Sequence, residues 1–481
     1  MARLSDLMQR DLPVDPEIAG VTADSRKVRP GFLFAALPGS KIDGRSFIPT
    51  ALGAGAAAVL APDDIGDLAV PVVHATDLRR AYALAAKALH ARQPEVCVAV
   101  TGTNGKTSVA VFCRQIFEQL GHRAASMGTL GVRVGAEQLT PPGLTTPDAA
   151  DVAELMAELA ERKVTHLALE ASSHGIDQRR LDGVALKAAG FTNLTQDHLD
   201  YHGVMGAYRA AKLRLFDTLL PRGGTAVLNA DSDAYDVFAA AAVQAGQTVM
   251  SVGERGQALQ LLERRLVPDG QRLTLRAAGA VHEVRLPLAG GFQASNALVA
   301  AGLCIAVGED VHAVLEALEH IEGAPGRLQR VGSGAKGGEA YVDYAHTPDG
   351  LQTVLSALRP HARGRLIVVF GAGGDRDRGK RPLMGAAAVR LADLAIVTDD
   401  NPRSEEPAAI RAAILASASG ALEIGDRRQA IRAACAMLEE GDVLVVAGKG
   451  HEQGQIVSGV AHPFDDVAET AAALGLETAH G

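Results

Sequence analysis

Gly102, Gly105, Lys106 and Thr107 stand at the spacing a polyphosphate site requires. The apolar, β-rich run Val98-Ala99-Val100-Thr101 leads into the small-residue loop Gly102-Thr103-Asn104-Gly105, and Lys106-Thr107-Ser108 opens a helical pattern. Two glycines permit a tight turn whose backbone N–H groups face one concavity, and a helix N-terminus adds partial positive charge there. Lys106 would reach the outer phosphates, and the Thr107 hydroxyl is placed to ligate Mg²⁺. The commoner loop of this kind carries a glycine five residues before Gly105. Val100 stands there, so this is a shortened variant.

Two further apolar runs end in polar groups that suit metal and phosphate chemistry. Thr165 to Leu169 ends in Glu170, and Ala188 to Phe191 ends in Thr192-Asn193, with His198 close behind. In open α/β sheets ligands sit at the carboxyl ends of strands, so these runs bring Lys106, Thr107, Glu170, Asn193 and His198 to one edge. Near the C-terminus one design occurs three times. Leu366–Phe370 leads to Gly371-Ala372-Gly373-Gly374-Asp375-Arg376, Leu394–Thr398 to Asp399-Asp400-Asn401-Pro402-Arg403, and Val443–Ala447 to Gly448-Lys449-Gly450-His451-Glu452. Arg376 stands where a dinucleotide fingerprint needs its third glycine, which rejects NAD. Arg376, Arg403, Asp400 and Glu452 form a mixed-charge set: guanidinium forks hold carboxylates and acids hold ammonium, so a zwitterionic amino acid fits. Lys212, in the basic helical stretch Tyr208–Phe216, reads by itself as a solvated surface lysine.

The elements that must position these groups are α/β throughout. At 481 residues, 47% hydrophobic and 21% charged, the chain exceeds a single core. Residues 1–92 read as a small N-terminal α/β domain. Residues 93–325 read as a central ATP-binding domain with a parallel sheet, and residues 326–481 as a C-terminal Rossmann-like domain. The helix after the loop should run from Thr107 to Leu120 and stop at Gly121, and residues 226–288 read as short strands and turns. A net charge of −9 without basic clusters argues against nucleic acid. No signal-type or membrane-length apolar run is present, so a cytoplasmic protein without membrane contact is expected; a monomer is expected too. Cys97, Cys113, Cys304 and Cys435, far apart in apolar segments, read as reduced buried thiols.

The segments TGTNGKTS, LEASSHG, TNLTQDHLDYHG, YRAAKLRLF, YVDYAHTPDG, GAGGDRDRGKRPLM, DNPRSEEP and GKGHE, in this order, resemble the ATP-dependent Mur ligases of peptidoglycan synthesis. They are most similar to the branch that adds meso-2,6-diaminopimelate. The resemblance implies ATP contacts at Gly102, Thr103, Asn104, Gly105, Lys106, Thr107, Ser108, Asn296, Arg327, Asp343 and His346. It implies that Ala23, Ser25, Ser40, Lys41, Ile42, Thr145, Thr146, Ser172, Gln178 and Arg180 hold UDP-MurNAc-L-Ala-D-Glu. Diaminopimelate would lie against Arg376, Asp400, Asn401, Pro402, Arg403, Gly448 and Glu452. Thr107, Glu170 and His198 would ligate Mg²⁺ together with Lys212, which matches the family's carbamylated lysine (N6-carboxylysine). Catalysis would rest on Lys106, Glu170, His198 and Lys212. Two positions depart from the family pattern: Leu144 and Gln293 stand where asparagine is common.

The implied reaction is ATP-driven amide formation through an acyl phosphate. A lysine-adding ligase of the same family is the nearest alternative, and Arg403, a fork for a second carboxylate, argues against it. Folylpolyglutamate synthetase shares the ATPase core but gives no reason for a separate N-terminal domain. A nucleotide-dependent switch would leave Glu170, His198 and the C-terminal crevice without a role.

Overall fold

The computed structural model describes residues 1–39, 43–267 and 270–476; Ser40, Lys41 and Ile42 lie outside the described residues. The chain divides into two compact units. One comprises Met1–Leu261, Arg276–Ala280 and Leu298–Ala317, and the other Leu262–Leu275, Val281–Ala297 and Leu318–Gly481.

The first unit opens with a four-stranded parallel sheet, Gly20–Thr22, Phe32–Ala35, Ala58–Ala61 and Val72–His74, in chain order. Helix Leu78–Leu89 covers it, capped by Asp77, whose carboxylate accepts from Arg80 N. A second sheet follows, made of β1 (Val96–Thr101), β2 (Ala124–Gly128), β3 (His166–Glu170), β4 (Ala188–Phe191), β5 (Thr225–Asn229) and β6 (Thr248–Gly253). Its order is β2-β3-β1-β4-β5-β6, all parallel. Strands Gly131–Val134 and Glu137–Thr140 extend the β2 edge antiparallel. Both faces of β1, β3 and β4 are buried, which is why these strands read as unbroken apolar runs. With β1 between β3 and β4, the loops after the three strands emerge side by side.

Helix α1 (Lys106–Gln119) ends at Leu120 and Gly121, whose φ of +89° is the left-handed stop expected from the sequence. Between residues 226 and 288 the expected strands are present, at Thr248–Gly253, Leu259–Val267, Gly270–Ala277 and Ala280–Leu286, but one segment departs from the expectation. Tyr235–Gln244 is helical, because its run of alanines favours helix over strand and turn.

In the second unit Gln329–Ser333 pairs antiparallel with β7 (Glu339–Asp343). The sheet then runs β7-β10-β8-β9 and ends at Leu422–Glu423, all parallel, with β8 Leu366–Phe370, β9 Leu394–Val397 and β10 Val443–Ala447. The period of two is plain in β8. Leu366, Val368 and Phe370 enter one core and Ile367 and Val369 the other. Arg427 and Asp466 form a fully buried bidentate ion pair at 2.6 and 2.7 Å. All four cysteines are free and buried. Among the described residues no helix is long and apolar enough to cross a membrane.

Candidate active site

The loop after β1 is held by its neighbour strand. Thr103 N donates to Asn193 O (2.8 Å), Asn104 N to Asn193 Oδ1 (3.0 Å) and Thr192 Oγ1 to Asn104 O (2.6 Å). Gly102 has φ +153°, and a Cβ there would lie 1.9 Å from Thr192 Oγ1, so only glycine lets the loop seat this closely. Gly105, at φ +88°, turns the chain into α1. Lys106 Nζ donates to the carbonyls of Gly102 and Thr103, both at 2.9 Å. The backbone N–H groups of a loop and helix N-terminus, with one ammonium beside them, make an anion-binding concavity.

Glu170, 3% exposed at the end of β3, gathers the adjacent hydroxyls. Thr107 Oγ1 donates to Oε2 at 2.9 Å, Thr129 N to Oε1 at 2.8 Å and Thr129 Oγ1 to Oε2 at 3.3 Å. Thr129 Oγ1 also meets Thr145 Oγ1 at 3.0 Å, and Thr146 Oγ1 donates to the Glu170 carbonyl and meets Ser172 Oγ. The result is an oxygen-lined group centred on one carboxylate.

Lys212 lies on α2 (Met205–Arg214) and is 1% exposed, so the surface reading of this lysine is wrong. Tyr208, Ala211 and Lys212 share the buried face of the helix, and Lys212 Nζ stands 4.6 Å from the centre of the Tyr208 ring. Nζ donates to Gly102 O at 2.7 Å, and burial, followed by the nearby Lys106 ammonium, pushes the amine well below the usual lysine range. His198 is at φ +52° and its imidazole lies 3.4 Å from Asp197. It belongs to a ring cluster with His174, Tyr201, His202 and Tyr208. Burial lowers His198, and it lowers His174 to about 4.

Residues expected to hold the larger substrate fall in two places in the first unit. Ala23 lines an open cleft with Thr22, Asp24, Lys27 and Tyr82, and Ser25 starts a turn capped by Asp24. Thr145, Thr146 and Ser172 stand beside Glu170, while Arg180 Nη1 donates to Thr146 O and Nη2 to Gln178 Oε1. Leu144 is 63% exposed.

In the second unit Asn296 Nδ2 donates to Gln293 Oε1, and Gln293 Nε2 donates to Arg327 O. Gln293 therefore orients Asn296 from the place where asparagine is common. Buried Asp343 accepts from Leu328 N and Ala345 N, both at 2.7 Å, while the Arg327 guanidinium lies over the Tyr344 ring. His346 is exposed, with its carbonyl accepting from Lys380.

The crevice at the C-terminal ends of β8, β9 and β10 collects the residues expected to hold the amino acid. Asn401 Nδ2 donates to Glu452 Oε2 (2.8 Å), and fully buried Lys449 donates to Asn401 Oδ1 (2.9 Å) and Glu452 Oε2 (3.3 Å). Arg403, at φ +54°, donates from Nη1 to Gly374 O, and a Cβ on Gly374 would strike Pro402 O at 1.9 Å. Gly448, at φ +122°, comes so near Asp400 that a Cβ would lie 2.5 Å from Oδ2, a buried oxygen with no hydrogen-bond partner. Arg376 is exposed at the rim.

Family models match almost the whole chain: "Mur ligase family, catalytic domain" over residues 17–96, "Mur ligase middle domain" over 100–304 and "Mur ligase, glutamate ligase domain" over 326–450. The chain is 73% identical to UDP-N-acetylmuramoyl-L-alanyl-D-glutamate--2,6-diaminopimelate ligase of Caulobacter vibrioides, over 98% of each chain. The enzyme of that name from Bradyrhizobium diazoefficiens is 53% identical, with 99% of this chain and 100% of that one covered. A solved structure of an enzyme of that name has a TM-score of 0.75 at 34% identity, covering 98% and 99%. The chain belongs to the Mur ligase family.

Its fold is the three-domain α/β fold of Mur ligases, and it is a ligase. Several groups that shape this Mur ligase site escape sequence reasoning. Thr129, which hydrogen-bonds Glu170 twice, follows a glycine in a turn with no pattern around it. Lys449 sits in the GKGHE segment, but nothing in its spacing announces a buried cation. Tyr208 and Lys212 could have been found: positions 208, 211 and 212 form one helical stripe.

Proposed function

We propose that this Mur ligase joins the amine of meso-2,6-diaminopimelate to the D-Glu carboxylate of UDP-MurNAc-L-Ala-D-Glu, consuming ATP, as a monomer in cytoplasmic peptidoglycan precursor synthesis. The observation that carries this is 73% identity over 98% of the chain to an enzyme of that name. The domains would be residues 1–92, 93–325 and 326–481, serving the UDP-substrate, ATP and the amino acid.

In the first half-reaction the D-Glu carboxylate attacks the γ-phosphorus, an acyl phosphate forms and ADP leaves. Lys106 and the N–H groups from Gly102 to Ser108 would spread the charge on the transferring group. Thr107 and Glu170 offer oxygen donors alone, which fits hard Mg²⁺, and His198 would join them. When bound, Mg²⁺ neutralises phosphate charge. Lys212 is suited to carbamylation. Its amine is buried and pushed below the usual lysine range, which favours the neutral form, and a neutral amine adds CO₂ to give a carbamate and a proton.

In the second half-reaction the diaminopimelate amine attacks the activated carbonyl, and phosphate leaves from a tetrahedral intermediate. Asp400 and Glu452 would hold ammonium, while Arg376 and Arg403 would hold carboxylate. Asn401, Pro402 and Gly448 would shape the pocket. Asn296, Arg327, Asp343 and His346 would complete the nucleotide site, and Ala23, Ser25, Ser40, Lys41, Ile42, Thr145, Thr146, Ser172, Gln178 and Arg180 the UDP-substrate site. Phosphate release is expected only when ATP, UDP-MurNAc-L-Ala-D-Glu and meso-diaminopimelate are all present. Release without the amino acid, or none with all three, refutes the assignment.

A further inference from the structure

At the end of the central sheet opposite the nucleotide loop, three side chains converge that the proposed reaction does not use. His166 is the first residue of β3, the strand whose last residue is Glu170. His122 follows Gly121 at the end of α1, and Glu309 follows Gly308 at the end of helix Gly291–Ala306.

The two helix ends are built alike. Gly121 (φ +89°) donates to Glu118 O and His122 N to Phe117 O. Gly308 (φ +109°) donates to Ile305 O and Glu309 N to Cys304 O. Both are Schellman motifs, with a left-handed glycine at C′ and the metal-type side chain at C″. Neither glycine has an atom within 4 Å of where a Cβ would be, so it is the backbone conformation that demands glycine. Two helix C-termini thus point their partial negative charge at the place where His122 and Glu309 meet His166.

The donor atoms converge as well. His122 Nε2 lies 2.9 Å and His166 Nε2 3.6 Å from the same oxygen, Glu309 Oε1, and the ligand atoms all lie within 4.8 Å of one another. The imidazole centroids lie 3.9 Å apart, the rings tilted by 31°. Two donors on one tetrahedral ion, each about 2.0–2.1 Å from it, stand roughly 3.3 Å apart, and the observed distances bracket that value. The other nitrogen of His166, Nδ1, lies 2.9 Å from Thr165 Oγ1. An Nδ1–H that donates to that hydroxyl fixes the tautomer that leaves Nε2 free to ligate, as outer-shell partners of metal-bound histidines do. His166 is 7% exposed and His122 and Glu309 are half-buried, so the group is walled on the protein side and open on the other.

We propose that His122, His166 and Glu309 form a second metal site, for a borderline divalent transition ion such as Zn²⁺, with solvent as its fourth ligand. Two imidazoles and one carboxylate suit Zn²⁺ and disfavour Mg²⁺, so the site would stay separate from oxygen-lined Glu170. Its role would be to staple two helix ends to the foot of β3.

The test is calorimetric titration of ZnCl₂ into the full chain with saturating Mg²⁺, beside His166→Ala and Glu309→Gln. The second variant keeps the shape and hydrogen bonding of the side chain and should fold if the first does not. Wild type should bind one more equivalent of Zn²⁺ than either variant, and Zn²⁺ should raise its melting temperature more than theirs. Co²⁺ should give visible bands of a four-coordinate site in wild type alone. Equal Zn²⁺ stoichiometry in wild type and Glu309→Gln would overturn the proposal, as would a shift in melting temperature that both share.

Discussion

Lys212 Nζ donates a 2.7 Å hydrogen bond to the carbonyl of Gly102, the residue at which the nucleotide loop leaves β1. This amine is buried, pushed by burial well below the usual lysine range, and beside the proposed phosphate site. Lys212→Ala and Lys212→Arg should each lower kcat by on the order of 10²–10³-fold, the cost of losing one preorganised charged group. Arginine keeps its charge and forms no carbamate. ¹³CO₂ should give a carbamate carbon resonance in the wild type and none in Lys212→Arg. A fully active Lys212→Arg would remove the carbamate from the mechanism.

Gly128→Ala tests the setting of the Glu170 carboxylate. A Cβ at position 128 would lie 2.0 Å from Glu170 Oε1 and 2.5 Å from its Cδ. The carboxylate must move, and the bonds from Thr107 and Thr129 move with it. Activity should fall about 10²-fold, as when one preorganised group is misplaced, and melting temperature should fall as well, since overpacking a buried site costs about 1–3 kcal/mol. Mg²⁺ titration of the rate should show a raised requirement.

Arg403→Ala separates diaminopimelate from lysine as acceptor. Losing a charged hydrogen bond costs about 1.5–3 kcal/mol, so KM for meso-diaminopimelate should rise roughly 10- to 100-fold. KM for ATP should hold. Steady-state kinetics with both amino acids decides, and an unchanged KM for diaminopimelate would mean that Arg403 does not select it.

His451 predicts acid sensitivity. Burial, then the Arg327 guanidinium, lowers its imidazole to about 4, and its Nδ1 is a buried atom with no hydrogen-bond partner. The unfolded histidine takes up a proton below about 6.5 and the folded one only near 4. The unfolded state therefore binds more protons in that window, and stability is lost as pH falls from about 6.5 to 4. The loss should be on the order of 1–3 kcal/mol. Urea unfolding at several pH values reads it, and His451→Gln should flatten the slope.

Much of this was legible because strand, loop and helix follow one another locally. Glycines at 102 and 105 marked the loop, and Gly121 marked the end of α1 to the residue. The apolar runs ending in Glu170 and Asn193 revealed β3 and β4, since strands buried on both faces carry no polar interruptions. Residues defined by what lies across space were hidden. Thr129 reaches Glu170 over 41 positions, and Lys449 reaches Asn401 over 48. Lys212 misled for the opposite reason: a lysine is normally solvated, and its burial depends on Gly102, 110 residues away.

Lys106 grips the carbonyls of Gly102 and Thr103 with two bonds of equal length. A triphosphate arriving at the proposed site would have to trade for those bonds rather than capture an idle cation, which would temper affinity for nucleotide before and after transfer alike. Such a loop would act as a latch, closing again on its own carbonyls each time the nucleotide departs.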